Sequence, residues 1–166
     1  MEAYHGSPSI IESWNLSHIG ETTGTAGGGF GIYFTTSEDE AEIYGDNIYS
    51  VDLSLGHGVS VDFRTLSRAD ISKLLIHYES KINNSYVENW GSFSDAVNAL
   101  DELETDTDII GDLCNATGDV KAVLSSVVFC GYSHAVTSGF SQDSEGKQSK
   151  HYIVFDVCII NGNTKK

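Results

Sequence analysis

Three stretches of this 166-residue chain put chemically able side chains at short spacings. Tyr4-His5-Gly6-Ser7 sets an imidazole beside a glycine. Gly29-Phe30-Gly31-Ile32-Tyr33-Phe34 carries a tyrosine in a strand-like run, and Tyr44 follows eleven positions later. The third stretch is Gly131-Tyr132, then a polar loop with Asp143, Glu145 and Gln148, then His151-Tyr152-Ile153-Val154-Phe155-Asp156. Rings that stack, an imidazole that hydrogen-bonds and carboxylates that face a developing positive charge are the chemistry of positioning and electrostatics. Spacing alone identifies no Cys–His or Ser–His–Asp arrangement. The six histidines show no HExxH or other ligand spacing, so no metal site is expected. The glycine-rich stretch 24–31 lacks the GK[ST] ending of a phosphate loop, and it lacks GxGxxG between a strand and a helix.

These residues need elements to position them. Ala3–Gly6 reads as a short strand, and Pro8–Trp14 as a helical turn begun by Ser7 and Pro8. Gly20–Gly31 has no periodicity and reads as a mobile loop that closes near the site. Phe30–Thr35 reads as a strand. Ser37-Glu38-Asp39-Glu40 then forms a capping box for a helix ending near Tyr44-Gly45. Tyr49, Val51, Leu53 and Leu55 alternate with polar residues as in a half-buried strand, and Val59, Val61 and Phe63 repeat the pattern. Ser67 caps a helix whose apolar stripe is Ile71, Leu74, Leu75, Tyr78 and Ile82. Further helices are expected over Ser94–Leu103, Asp108–Cys114 and Asp119–Val128. Glu102, Glu104, Asp106 and Asp108 read as a solvated acidic run. Strands return at Tyr132–Thr137 and His151–Ile160, the latter nearly all apolar and so central. The order is strands, helices, strands: a single α+β domain over 1–166, with a helical insertion at about 64–128.

Composition narrows the function. Hydrophobic residues make up 40% and proline occurs once, which suits a folding chain with one core. Nine basic residues against 24 acidic give a net charge of −15. That surface repels phosphate backbones and favours a protein target with a basic surface over nucleic acid. Cys114, Cys130 and Cys158 are odd in number without a CxxC pair, and read as buried thiols in a reducing cytoplasm. The first ten residues lack a basic region followed by an apolar stretch, so no signal peptide is expected, and no run has the length for a membrane span.

The order of the three stretches resembles the His-Tyr-Glu class of ADP-ribosyltransferases, the class of the poly(ADP-ribose) polymerases. It is similar also to the ADP-ribosyltransferase domains of phage polyvalent proteins and anti-CRISPR proteins. The resemblance covers about 1–55 and 118–160; the stretch 64–117 matches only in being helical. It implies a split β-sheet core, NAD+ as co-substrate, and transfer of one ADP-ribose unit to a macromolecular target, most simply a protein, by a phage or bacterial effector or toxin. In the family the motif histidine, matched by His5, bonds a ribose hydroxyl, and the adjacent glycine backbone, matched by Gly6, holds the nicotinamide amide. The motif tyrosine, matched by Tyr33, stacks on the nicotinamide ring, and a second aromatic, matched by Tyr44, covers its other face.

The chain departs from the pattern in two places. Ala41 stands where a serine would bond the nicotinamide amide. His151 stands where the family has its glutamate, and an imidazole does not stabilise a developing cation as a carboxylate does. Glu145 matches the loop acid of the anti-CRISPR relatives best, with Asp143 and Gln148 nearby, so Glu145 and His151 are the expected catalytic positions. Two alternatives stand beside this reading. One is a nucleic-acid ADP-ribosyltransferase toxin; the other, which the missing glutamate favours, is a non-enzymatic acidic binder on a decayed transferase fold.

Overall fold

The computed structural model describes residues 1–17, 30–81, 87–142 and 145–166. The expectations for Gly20–Gly29, for Ile82 and for Asp143 lie outside them. Seven strands form one mixed sheet: β1 (Glu2–Ser7), β2 (Ile32–Thr35), β3 (Asn47–Leu53), β4 (His57–Ser60), β5 (Tyr132–Gln142), β6 (Gln148–Val154) and β7 (Ile160–Lys165). Their order across the sheet is β4-β5-β6-β2-β1-β3-β7. β4 and β5 run parallel, and every other neighbouring pair is antiparallel. Helix α1 (Glu38–Glu42) joins β2 to β3. Helices α2 (Arg68–Lys81), α3 (Val87–Trp90), α4 (Phe93–Asp101), α5 (Asp106–Thr117) and α6 (Val120–Phe129) all fall between β4 and β5. The α+β class read from the sequence is what the chain forms.

Alternation along β6 assigns the two faces of the sheet. Ile153 belongs to the larger core, where Ile71, Leu74, Leu75 and Tyr78 of α2 meet Leu100, Ile109, Leu113 and Val127 of the later helices. Tyr152 and Val154 belong to a smaller core with Ala3, Phe34, Val51 and Leu53, against which Trp14 packs. The α2 stripe works as its spacing predicts: Ile71, Leu74, Leu75 and Tyr78 are all fully buried. Ser67 does cap α2. Its Oγ accepts from the Asp70 amide at 3.2 Å, while the Ser67 amide donates to Asp70 at 2.8 Å.

Four expectations are corrected. Pro8–Trp14 forms no helix; its residues lie in bends held by contacts such as the Ile11 amide donating to Tyr49 Oη at 2.7 Å. The strand expected over His151–Ile160 is two strands. Asp156 interrupts it by accepting from the Cys158 amide at 3.0 Å, which caps a 3-10 turn at Val157–Ile159, and β7 then runs at the far edge beside β3. The strand expected over Val59–Phe63 ends at Ser60. Of the thiols, only Cys114 is buried; Cys130 is half-buried and Cys158 exposed. Among the described residues no helix is long and apolar enough to cross a membrane.

The acidic run at the start of α5 also differs from its reading. Glu102, Glu104 and Asp108 are exposed, but Asp106 is fully buried. Its carboxylate accepts from the amides of Ser60, Thr65 and Leu66, each at 2.8 Å, and from the Thr65 hydroxyl. One side chain thus fastens the segment leaving β4 to the helical layer. Asp106→Ala orphans the buried amides of Ser60 and Leu66 and the part-buried amide of Thr65, and each buried group costs about 1–3 kcal/mol. The variant is expected to melt roughly 10 °C below wild type in a calorimetric scan. A shift of under about 2 °C would remove Asp106 from that role.

Candidate functional site

Helix α1 begins as the sequence suggests. The Ser37 side chain accepts from the Glu40 amide at 3.4 Å. The second half of the expected capping box does not form. Instead of returning to the Ser37 amide, Glu40 turns into the protein and is 3% exposed. Its Oε2 accepts from Thr35 Oγ1 at 2.7 Å and from His151 Nε2 at 2.6 Å. Its Oε1 accepts from Ser149 Oγ at 2.6 Å, from the Phe140 amide at 2.7 Å and from the Ser141 amide. The two amides are available because the β5–β6 register shifts between Ser138 and Gln142. Gly139 leaves the room: a Cβ there would stand 2.1 Å from Ser149 Oγ and 2.9 Å from Glu40 Oε2. Burial alone pushes the Glu40 carboxyl up, but the donors from Ser149, Thr35, Ser141 and His151 outweigh it, and the group sits well below the usual carboxylate range. Glu40 is therefore an anion at neutral pH, and His151 Nε2 must donate.

The second feature lies between β1 and β2. β1 pairs with β3 over its whole length, but with β2 only at Tyr4–Thr35. Met1 exchanges both backbone hydrogen bonds with Leu53. By the alternation of an antiparallel ladder, Ala3, His5 and Ser7 also face β3, while Tyr4 and Gly6 turn their amides and carbonyls toward β2. At Gly6 the partner would be Tyr33, yet pairing has ended. The Tyr33 carbonyl instead accepts from His5 Nδ1 at 2.6 Å. The imidazole thus occupies the place of a ladder bond, and Gly6 points its backbone into the opening. A carbonyl only accepts, so the proton of the neutral ring is on Nδ1 and the lone pair on Nε2. Burial pushes the His5 imidazole below its ordinary range, against the opposing pull of that hydrogen bond. The ring is wedged by Trp14, edge-on at 5.2 Å, and by Phe34 at 5.6 Å.

Gly6 has a packing reason as well. A Cβ there would fall 1.8 Å from the Ala41 carbonyl oxygen and 3.3 Å from the Tyr44 Cβ. Helix α1 therefore lies directly on β1, and Tyr44 stands beside Gly6, with half of its surface exposed. Tyr33 shares the α1 face of the sheet with Thr35. Burial pushes its phenol up to about 12, with a smaller contribution from Tyr44.

His5, Gly6, Tyr33 and Tyr44 thus gather around the β1–β2 opening. His151 joins them from β6: it pairs with Thr35, and Ile153 pairs with Tyr33. On one sheet face His151 and Tyr33 are diagonal neighbours, at a typical separation of about 7–8 Å. Glu145 lies exposed on the turn joining β5 and β6, and Gln148 donates to the Gly139 carbonyl at 2.7 Å. Sequence reasoning missed Glu40. Its one local signal, a carboxylate at the third helical position, points to the helix end rather than to the sheet.

No family model matches the chain, and no curated protein matches it. Among solved structures, the crystal structure of an anti-CRISPR protein aligns over 100% of this chain and 95% of its own, at 14% identity and a TM-score of 0.45.

Removing Glu40 leaves five donors without their acceptor. Glu40→Ala is expected to cost about 3–5 kcal/mol in denaturant unfolding at neutral pH. The acid limb tests the charge itself. A carboxyl held below its ordinary 4.5 stabilises the fold above that pH, and the contribution drains away as pH falls toward the depressed value. Wild type should lose stability steeply below pH 4.5, and Glu40→Gln should show a shallower slope in the same window. Parallel slopes would mean that the anion is not what the fold relies on.

Proposed function

We propose that the chain is an NAD+-dependent mono-ADP-ribosyltransferase with an ADP-ribosyltransferase-like split sheet, acting on a protein target with a basic surface. The observation that carries this reading is the opening between β1 and β2, where Gly6 turns its backbone toward a strand that does not pair with it. A carboxamide has one donor group and one acceptor and can complete that unfinished ladder position. His5 Nε2, the unprotonated nitrogen, accepts from a ribose hydroxyl. Tyr33 and Tyr44 bracket the nicotinamide ring, at roughly 1 kcal/mol per ring contact. Breaking the bond between nicotinamide and ribose builds positive charge on the ribose, and Glu145, on the turn between β5 and β6, supplies a carboxylate to it.

The charge of −15 steers a basic protein to the site and disfavours a nucleic-acid acceptor. α1 contributes locally: Glu38, Asp39 and Glu42 lie on the helix that ends two residues before Tyr44. Binding without turnover would point instead to the acidic binder on a transferase-like fold.

Two experiments test the reading. Millimolar NAD+ should raise the melting temperature, because it binds the folded state alone; an unchanged melting curve with flat calorimetry would overturn it. Incubation with labelled NAD+ and a lysate should label a protein band. Within an active protein, Tyr33→Ala should weaken NAD+ use while Tyr33→Phe is mild, since stacking needs the ring. Glu145→Gln should slow cleavage roughly a hundredfold. Full activity in both Tyr33 variants would unseat the ring assignment.

A further inference from the structure

Glu40 has more donors than burial demands. A carboxylate offers about four lone-pair sites. Thr35, Ser149 and the amides of Phe140 and Ser141 supply four donors without any histidine. His151 is a fifth, and an apolar residue on β6 would have left the anion satisfied. The imidazole is also held more firmly than a bolt between helix and sheet needs. Its strand pairs on both sides, with Thr35 and with Thr137, and the Phe140 ring meets it edge-on at 4.7 Å.

The consequence is a fixed tautomer. Glu40 Oε2 can only accept, so the single proton of a neutral His151 is on Nε2. Nδ1 then presents a lone pair. It has no hydrogen-bond partner among the described residues. The side chain keeps 10% of its surface exposed, so the ring is not sealed off. It stands on the α1 face of the sheet, diagonal to Tyr33.

We propose that His151 and Glu40 form a proton-accepting dyad in which Glu40 holds the Nε2–H inward and His151 Nδ1 takes the proton of the nucleophile that displaces nicotinamide from NAD+. The proposal rests on the NAD+-cleaving reading above and gives that site its missing base. A hydroxyl of the acceptor, or water when no acceptor is bound, forms a bond from oxygen to the anomeric carbon of the ribose. The bond from that carbon to the nicotinamide nitrogen breaks, and its electron pair leaves with neutral nicotinamide. The hydroxyl proton passes to Nδ1. The resulting imidazolium faces the Glu40 anion, and solvent later removes the proton. His151 is the catalytic residue in this scheme, and Glu40 is a positioning residue. The family's glutamate is thereby replaced by three residues with a different division of labour: loop acid for the cation, dyad for the proton.

The test separates a base from a bolt. His151→Gln keeps an amide N–H near the Nε2 position, so it preserves the bond to Glu40, but it has no basic nitrogen. The dyad predicts that His151→Gln and His151→Ala both lose kcat for NAD+ hydrolysis about a hundredfold, with KM for NAD+ changed less than about threefold. Imidazole added to the buffer should restore much of the activity of His151→Ala. A purely structural role predicts that His151→Gln stays within about threefold of wild type, and that result would overturn the proposal. Melting temperatures report whether each variant folds. Long-range proton–nitrogen correlation of wild type gives a readout that does not depend on turnover: neutral His151 should carry its proton on Nε2. A proton on Nδ1 would overturn the dyad. Wild type that neither binds nor cleaves NAD+ sinks both readings, whereas an active wild type with an active His151→Gln sinks the dyad alone.

Discussion

The buried carboxylate of Glu40 is the constraint on which the site depends. It joins three pieces of chain that are distant in sequence: the end of β2 through Thr35, the bulged part of β5 through Phe140 and Ser141, and the start of β6 through Ser149 and His151. An isolated anion in that position would be prohibitively costly, and five donors make it an anchor instead. Because Glu40 belongs to α1, the anchor also fixes the height of that helix over the sheet. The contact of the Ala41 carbonyl with Gly6 and the placing of Tyr44 beside Gly6 follow from it. The Gly6–Tyr44 surface and the fold are fastened by the same five hydrogen bonds.

The opening between β1 and β2 is the counterpart of that anchor. One strand pair remains, and the next rung is replaced by a side chain, His5 Nδ1 to the Tyr33 carbonyl. Unfinished ladder positions inside a sheet are costly unless something satisfies them. Trp14 and Phe34 pack around the imidazole on the smaller-core side, while α1 covers the other face at Gly6. The sheet is thus held apart by packing on both sides rather than left loose.

How much of this was legible in the sequence varies with the range of the forces involved. Local signals served well where the answer was local: the α2 stripe and the Ser67 cap. Glu40 was legible as a helix-start residue and illegible as a buried anchor. The Ser37 amide offers it one donor, and five donors gathered from β2, β5 and β6 outcompete that offer. Asp106 was hidden among exposed acids for the same reason, since its donors come from Ser60, Thr65 and Leu66 across the fold. Asp156 was lost inside an apolar run, where one polar residue does not alter the periodicity yet ends the strand by capping a turn. β5 outran its expected end at Thr137, because β6 and Glu40 supply partners that the Ser138–Gln142 sequence does not advertise.

The parallel pairing of β4 with β5 has a consequence for how the molecule is assembled. Antiparallel neighbours such as β5 and β6 close through a short turn, but parallel strands need a crossover, and here the crossover is everything from 61 to 131. The helical layer is therefore not an appendage that can be trimmed away from a finished sheet. It is the tether that decides whether β4 finds its place. Loop-closure entropy must be met before the β4–β5 contacts return anything, so that edge of the sheet belongs to the slow, long-range part of folding, while the β5–β6 hairpin is local. The β2–β6 pairing that sets Thr35 beside His151 waits on the same crossover, because it too spans the helical layer.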